Sequence, residues 1–543
     1  VSKTYDANSL KYQNRDQLLA LLKKLVAIPS VTESAGEVVI AHEVYRILEE
    51  IPYFQDHPEQ LLMLDVGQGR KAVAALTKSF QPTSKTAIIL AHVDVVDVEE
   101  FGQYSPLAFD VDAWTATIHS GELELPSHVQ FDLAHGDWLF GRGTMDMKMG
   151  LATIIKLTEQ ACYGEYDGNI LFLAVPDEER HSEGMIGAVS ILEEWKRQYD
   201  LEYILGIDTE PTFVENSAEQ AAVVYSGSIG KFLLGILCIG KETHVGAPFE
   251  GLGANLMLGE ISRAIELDET LTETIQGETA PPITCLMSRD LKGSYSVQIP
   301  FKAVAYYNVM YMEQSPRAIL RQISFRIAGA MDALREWMTQ RLQGRHPASS
   351  NLAEHVQIME FSQLVAYAGI HHPEVIDRAD RILQTLAADS DLREATTAYV
   401  AEIATACTEL HPLVVTFTAP PFYPAVSSTA DPVVRCAISD VSLMAQTEYG
   451  ISIEEKRFFP GLSDLSYLGV SPDAAEAGVV ENMPLWQKGY DIPFQSLRAL
   501  KIPVLNLGPF GKDAHKWTER LELHSALDVT PRLLQAALQG IFR

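Results

Sequence analysis

Cysteine is scarce. Five occur in 543 residues, at Cys162, Cys238, Cys285, Cys407 and Cys436, and no two form a CxxC pair. An odd number in mostly apolar surroundings excludes a disulfide-stapled framework and points to buried free thiols in a reducing cytoplasm. Positive charge is also in deficit: 42 Lys and Arg stand against 72 Asp and Glu, a net charge of −30. Such a surface repels nucleic acid and anionic membrane, so neither is expected as a partner. No apolar run reaches the roughly 18 residues of a membrane span. The opening VSKTYDANSLKYQNRDQ lacks the apolar core of a signal peptide. No G-x-G-x-x-G or Walker loop follows a predicted strand, which sets nucleotide chemistry aside. HExxH is missing too, which excludes the usual helical zinc protease. No tandem repeat or low-complexity tract stands out.

What is present reads as a globular α/β protein. The composition is 47% hydrophobic and 21% charged, and the length implies two or more domains. Helical spacing over 14–26, and capping chemistry before 36–50, predict two N-terminal helices. KTAIILAHVDVV, GNILFLAVPDEE and LEYILGIDTEPT are β-branched apolar runs that end in acids or His. GLATIIKLTEQAC and AVSILEEWKRQY between them are helical. This recurrence predicts a mostly parallel sheet with helices on both faces, and ligand sites beyond the C-terminal strand ends. After about residue 216 the pattern changes. AAVVYSGSIGKFLLGILCIGKE reads as a hairpin or strand pair. A helix at 253–267, the strand-like YSVQIPFKAVAYYNVMYM and a long helix at 316–342 follow. These predict a small inserted α+β domain with a one-sided sheet. QGRHPASSN (343–351) reads as the exit linker, and PLVVTFTAPPFYP, a helix near 432–448, IPVLNLGPFG and a final helix near 530–541 as resumed βα structure. The expected division is 1–215 and 343–543 for a catalytic domain and 216–342 for an inserted lid.

Three acid or His clusters fall at predicted strand ends. His92 and Asp94 form H-x-D, and period-two geometry puts both on one side. The pair fits a metal-ligating imidazole with its orienting carboxylate, or a bland strand end. Asp146, inside GRGTMDMKMG, reads either as the N-cap of the following helix or as a ligand. Glu178 and Glu179 read as a solvated face, or, since they follow a buried strand directly, as acids that need a compensating cation. Asp208 and Glu210 repeat that arrangement one strand later, and His515 lies in a loop after IPVLNLGPFG. Two His and three carboxylates match zinc's preference for N and O donors. A carboxylate bridging two metals, with one further Glu as general base, would make a hydrolytic site.

The motifs AHVDVV, GRGTMDMKMG, VPDEERHSEGM, DTEPT, THVGAPFEGLGAN and AHKWTERLE, in this order, resemble the di-zinc exopeptidases and deacylases. These are the metallopeptidase family twenty of glutamate carboxypeptidase, succinyl-diaminopimelate desuccinylase, acetylornithine deacetylase, aminoacylase and peptidase T. GSIGK, GKETHVGAPFEGLGAN and PGLSDLSYLG look most like its RocB arginine-utilisation branch. The resemblance implies a zinc-exopeptidase-like (phosphorylase/hydrolase-like) fold with an inserted lid and dimerisation domain, and a homodimer through that lid. It implies two zinc ions, with cobalt or manganese as substitutes. By resemblance His92 binds one zinc and Asp94 orients it. Asp146 bridges both metals, Glu210 rather than Asp208 completes the first site, and Glu179 and His515 complete the second. Glu178 is then the general base and His244 the lid histidine that stabilises the oxyanion. Asn255, Asp464 and Glu519 match substrate-site patterns, His371 and His372 look like a surface pair, and the Asp146–Met147 peptide is expected to be cis.

The implied activity is hydrolysis of an amide in a small peptide or N-acyl amino acid, in arginine or other amino-acid catabolism. The competing reading is a metal-binding, non-hydrolytic scaffold or regulatory protein, against which the intact Glu178 stands. Two departures from the family pattern matter. His92 and Asp146 are 54 positions apart, so 97–137 reads as an insertion near the active-site mouth. VAYYNVMYM lacks the family's carboxylate-gripping Arg, a role left to a residue such as Arg289 or Lys292.

Overall fold

The polypeptide builds its largest sheet from buried apolar runs. The computed structural model describes residues 10–212, 222–342, 356–385, 391–469 and 476–543. These divide into two compact units: Val1–Ser228 with Val426–Val470 and Pro493–Arg543, and Ile229–Ala425 with Ser471–Ile492.

The first unit holds an eight-stranded sheet. Its order is Leu61–Asp65, Lys71–Thr77, Asn169–Val175, Lys85–His92, Glu202–Asp208, Val504–Asn506, Ala222–Tyr225 and Ile453–Lys456. The four central strands, from Asn169–Val175 to Val504–Asn506, are mutually parallel. Both faces are covered, as expected. Ala87, Ile89 and Ala91 join one core with the helices Arg15–Val26, Ala35–Glu49, Met149–Cys162 and Thr530–Ile541. Ile88 and Leu90, which point the other way, are equally inaccessible, and helix Glu183–Gln198 packs against the strands on that side. Each central strand therefore delivers its next residues to one edge of the sheet, and that edge carries the acids.

The second unit has a five-stranded sheet in the order Thr284–Asp290, Lys302–Tyr311, Gly230–Ile239, Leu413–Tyr423 and Gln357–Glu360. Two expectations are corrected here. Leu413–Tyr423 does not return to the first unit. It pairs antiparallel with Gly230–Ile239 over most of its length, so the second unit extends to Ala425 instead of ending at 342. The sheet is also covered on both faces. Tyr306 and Tyr307 are strand neighbours that point oppositely. The Tyr307 hydroxyl meets Ser262 of helix Ala254–Ile265 at 2.6 Å, and that of Tyr306 meets Thr397 of helix Leu392–Ala406 at 2.8 Å. The residues read as a hairpin or strand pair form separate strands that divide between the units: Ala222–Tyr225 belongs to the eight-stranded sheet and Gly230–Ile239 to the five-stranded one. The stretch read as the exit linker, 343–351, lies outside the described residues. No helix among the described residues is long and apolar enough to cross a membrane.

Candidate metal centre

The site assembles at the C-terminal ends of the parallel strands. His92 is the last residue of its strand, and Glu178, Glu179 and Glu210 follow two neighbouring strands within a few residues. Asp146 reaches the same place from the turn before helix Met149–Cys162. It is not the helix cap. Its backbone is extended (φ −115°, ψ 98°), the residue at the cap of the helix is Lys148, and the Asp146–Met147 peptide is cis. Met145, Met147 and Met149 are fully buried around it, and the His92 amide donates to Met147 Sδ at 3.2 Å. Gly143 makes the approach possible: its φ is +77°, and a Cβ there would lie 2.7 Å from Val95.

Asp146 stands between the two histidines. Its Oδ1 lies 3.1 Å from His92 Nε2 and its Oδ2 3.3 Å from His515 Nε2. His92 Nε2 is 3.6 Å from Glu210 and 3.9 Å from Glu178, and His515 Nε2 is 3.1 Å from Glu179. Three ligand groups result: His92–Asp146–Glu210, Asp146–Glu179–His515 and His92–Glu178–Glu179, each with its donor atoms within 4.8 Å of one another. Asp208 belongs to none of them. Its carboxylate accepts the Thr209 amide and the Ser463 hydroxyl, each at 2.8 Å, and Glu210 is the residue turned to the centre. Asn506 fixes that turn by donating to the Glu210 carbonyl at 3.1 Å. Gly508 lets the chain pass, since a Cβ there would sit 2.1 Å from the same oxygen.

Asp94 works through more than the imidazole. His92 Nδ1 lies 3.0 Å from the Asp94 main-chain carbonyl and 3.6 Å from its carboxylate, which turns Nε2 toward the centre. The same carboxylate accepts the amides of Glu178 and Glu179 and the Thr32 hydroxyl. Burial disfavours its charge, but His92, Thr32 and the Glu178 amide hold its pKa below the usual range. Asp464 is buried within electrostatic reach of Glu178 and Asp208, and burial together with Asp208 pushes its pKa well above the usual carboxylate range. Burial pushes Glu178 and Glu210 well above ordinary glutamates. For His515 burial is outweighed by Asp146 and Glu179, which raise it to about 11. Asp94, Asp146, Glu178, Glu179, Glu210 and Asp464 thus face two imidazoles in a largely dry pocket. That donor set suits divalent cations with N and O preferences, whose charge would compensate it.

Glu519 is buried, and its partners are internal. It accepts Arg142 Nη1 at 2.7 Å and the Met145 and Asp146 amides at 3.3 and 3.5 Å, so it supports the Asp146 turn and does not line a substrate site. Arg142, which sequence reasoning missed, also donates to the His515 carbonyl at 3.1 Å. A second missed residue is Arg70. It meets Glu183 at 2.6 Å, Asp177 at 3.2 Å and Glu37 at 3.4 Å, behind the turn that carries Glu178. The GRG of the Asp146 motif hinted at Arg142, but nothing in KAVAALT and its flanks marked Arg70.

His244 and Asn255 belong to the second unit. His244 is exposed, and its Nδ1 accepts the Gly246 amide at 3.0 Å. Asn255 lines a cavity of about 340 Å³ with Phe249, Leu252 and Trp337. Arg289 pairs with Glu394, and Lys292 donates to the Gln298 carbonyl at 2.6 Å. Both cations suggested as carboxylate grips are therefore engaged within their own unit. His372 pairs with Glu409 at 2.7 Å, and His371 stacks on Tyr367.

The model of peptidase family M20/M25/M40 matches residues 88–539. Protein YqjN of Bacillus subtilis is 40% identical over 545 residues, 98% of each chain. Protein RocB of the same organism is 29% identical over 96% of this chain and 94% of its own. An M20 metallo-carboxypeptidase from Sulfolobus solfataricus superposes with a TM-score of 0.53 at 11% identity, over 97% of this chain and 99% of that one, a likeness of fold.

Proposed function

Because this chain belongs to peptidase family M20/M25/M40, a family of metal-dependent hydrolases, we propose that it is a two-metal amidohydrolase acting on a small peptide or N-acyl amino acid. The observation that carries the reading is the shared Asp146, one oxygen toward His92 and the other toward His515. His92, Asp146 and Glu210 would hold one cation, and Asp146, Glu179 and His515 the other. Zinc suits these donors, as do cobalt and manganese. When bound, two such cations supply Lewis acidity, which brings the pKa of a water toward neutral and polarises an amide carbonyl.

The chain's own groups do the rest. Glu178 takes the proton of the attacking water at its carboxylate and passes it to the leaving amine. Asp94 keeps both His92 and the Glu178–Glu179 turn in position. At His244 the Gly246 amide occupies Nδ1, so the proton sits on Nε2, the nitrogen that would donate to the developing oxyanion. The relation to RocB makes arginine derivatives the first N-acyl substrates to try.

The test is a hydrolysis screen of dipeptides and N-acyl amino acids, including arginine derivatives, with and without zinc. Glu178→Ala should lower turnover by about 10²- to 10⁴-fold while two metals still bind. His244→Ala should cut kcat by about 10²-fold with metal content unchanged. Retained turnover in Glu178→Ala would remove it as the base. A silent panel with two metals bound would favour the non-hydrolytic scaffold.

A further inference from the structure

The segment 97–137 is long for a connection between His92 and Asp146, and the reaction above does not use it. It forms short helices, including Val111–His119 and Ser127–His135, around its own core of Phe101, Trp114, Ile118 and Val129. Phe510 and Trp517, on either side of His515, pack against that core. The Trp114 indole N–H donates to the Trp517 carbonyl at 3.3 Å.

The loop between these aromatics is unusual. Asp513 and His515 both have left-handed backbones, φ +59° and +66°, which non-glycine residues hold only where neighbours over-determine them. His515 is also the most exposed of the candidate ligands, with half of its side chain accessible. Its order must therefore come from anchors along the loop. One anchor is Asp513, whose Oδ2 takes His128 Nε2 at 2.9 Å, the Thr518 hydroxyl at 2.8 Å and Arg520 Nη1. Arg520 is fully buried, and its Nε donates to Asp132 at 3.0 Å. Asp132 also takes Lys512 Nζ at 2.7 Å. The other anchor is the bond from Arg142 to the His515 carbonyl. Arg142 is tied to 97–137 through the carbonyls of Asp97 and Ala108. Both of these anchors thus lead into this one segment.

We infer that residues 97–137 are a clamp for the second cation site, with His128 and Asp132 as positioning residues. Through Asp513 and Arg520 they hold His515 Nε2 beside Glu179 and Asp146. The His92–Asp146–Glu210 group does not rest on His128 or Asp132: His92 and Glu210 lie at strand ends, and the Asp146 turn is held by Glu519 and Arg142. The inference rests on the two-metal reading.

Cobalt(II) titration of the metal-free full-length protein, followed by absorption, tests it. A His515→Ala chain first identifies which of two binding phases belongs to His515. Asp132→Asn should then weaken that phase by about tenfold or more, the usual effect of losing a partner behind a ligand, and leave the other phase unchanged. His128→Ala, at a half-exposed position that the fold tolerates, should weaken it by a few-fold and decides alone if Asp132→Asn does not fold. Lys23→Ala breaks an exposed pair with Asp112 elsewhere on the segment and should leave both phases in place. Two unchanged phases in folded His128→Ala and Asp132→Asn would overturn the clamp while leaving the two-metal reading standing. A single phase, or none, in the unsubstituted protein would overturn that reading and the clamp with it.

Discussion

At the scale of single residues, the ligands themselves were legible and their supports were not. Glu178, Glu179 and Glu210 stand out because acids directly after buried apolar β-runs repel one another unless a cation or proton compensates them. Arg70 and Arg142 did not stand out, because an isolated Arg in sequence reads as surface. Only the fold reveals that Arg70 is buried among carboxylates and Arg142 against Glu519. Glu37 shows what such a network does. Burial, with Asp94 nearby, pushes its pKa up to about 7, against the pull of Arg70. The folded protein therefore keeps a proton that the unfolded chain releases near its usual value. Its contribution to stability is fully present below about pH 4.5 and is lost as the pH rises to about 7, on the order of 3 kcal/mol in all. Glu37→Gln carries no such titration. Its melting temperature should fall less steeply over that pH window than the unsubstituted protein's, as scanning calorimetry at several pH values would register. Parallel curves for the two proteins would refute the assignment.

At the scale of elements, periodicity located helices and strands but could not assign a strand to its sheet. Helix Arg15–Val26 begins at Asn14 with a capping box, as its sequence suggests. Leu413–Tyr423 is a buried apolar run like the strands of the first unit, and nothing local distinguishes which sheet it joins. That is decided by register against Gly230–Ile239, a long-range fact. The helices Phe361–His371, Pro373–Thr385 and Leu392–Ala406 were overlooked although the signal existed: Val375, Ile376, Ala379 and Leu383 recur at helical spacing. These helices build the second covered face. Leu364 is fully buried there in one core with Leu237, Val415 and Tyr399. Leu364→Ala should cost about 2–5 kcal/mol by denaturant unfolding. Phe325→Ala, at a position 77% exposed, should change stability by less than about 0.5 kcal/mol. Equal effects of the two would mean that the sheet has one covered face, as the sequence alone suggested.

At the scale of the whole molecule, every residue of the three ligand groups lies in the first unit and none in the second. Cation binding should therefore stabilise one part of the chain selectively. A ligand held by the folded state alone adds about 4 kcal/mol at a thousand times its dissociation constant. The buried carboxylates would repel one another more once the cations are gone. Chelation should thus loosen the segments that converge on the centre: the Asp146 turn (141–149), the Glu178–Glu179 turn (176–182) and the Gly508-to-His515 stretch. It should leave Gly230–Ile239 and Lys302–Tyr311 as protected as before. Hydrogen exchange read by mass spectrometry, with and without chelator, resolves these peptides separately. Faster exchange confined to the three segments, reversed by added zinc, is the expected pattern. A uniform rise across both units would mean that the cations stabilise the chain globally, and no change would mean that the carboxylate cluster holds no cation at all.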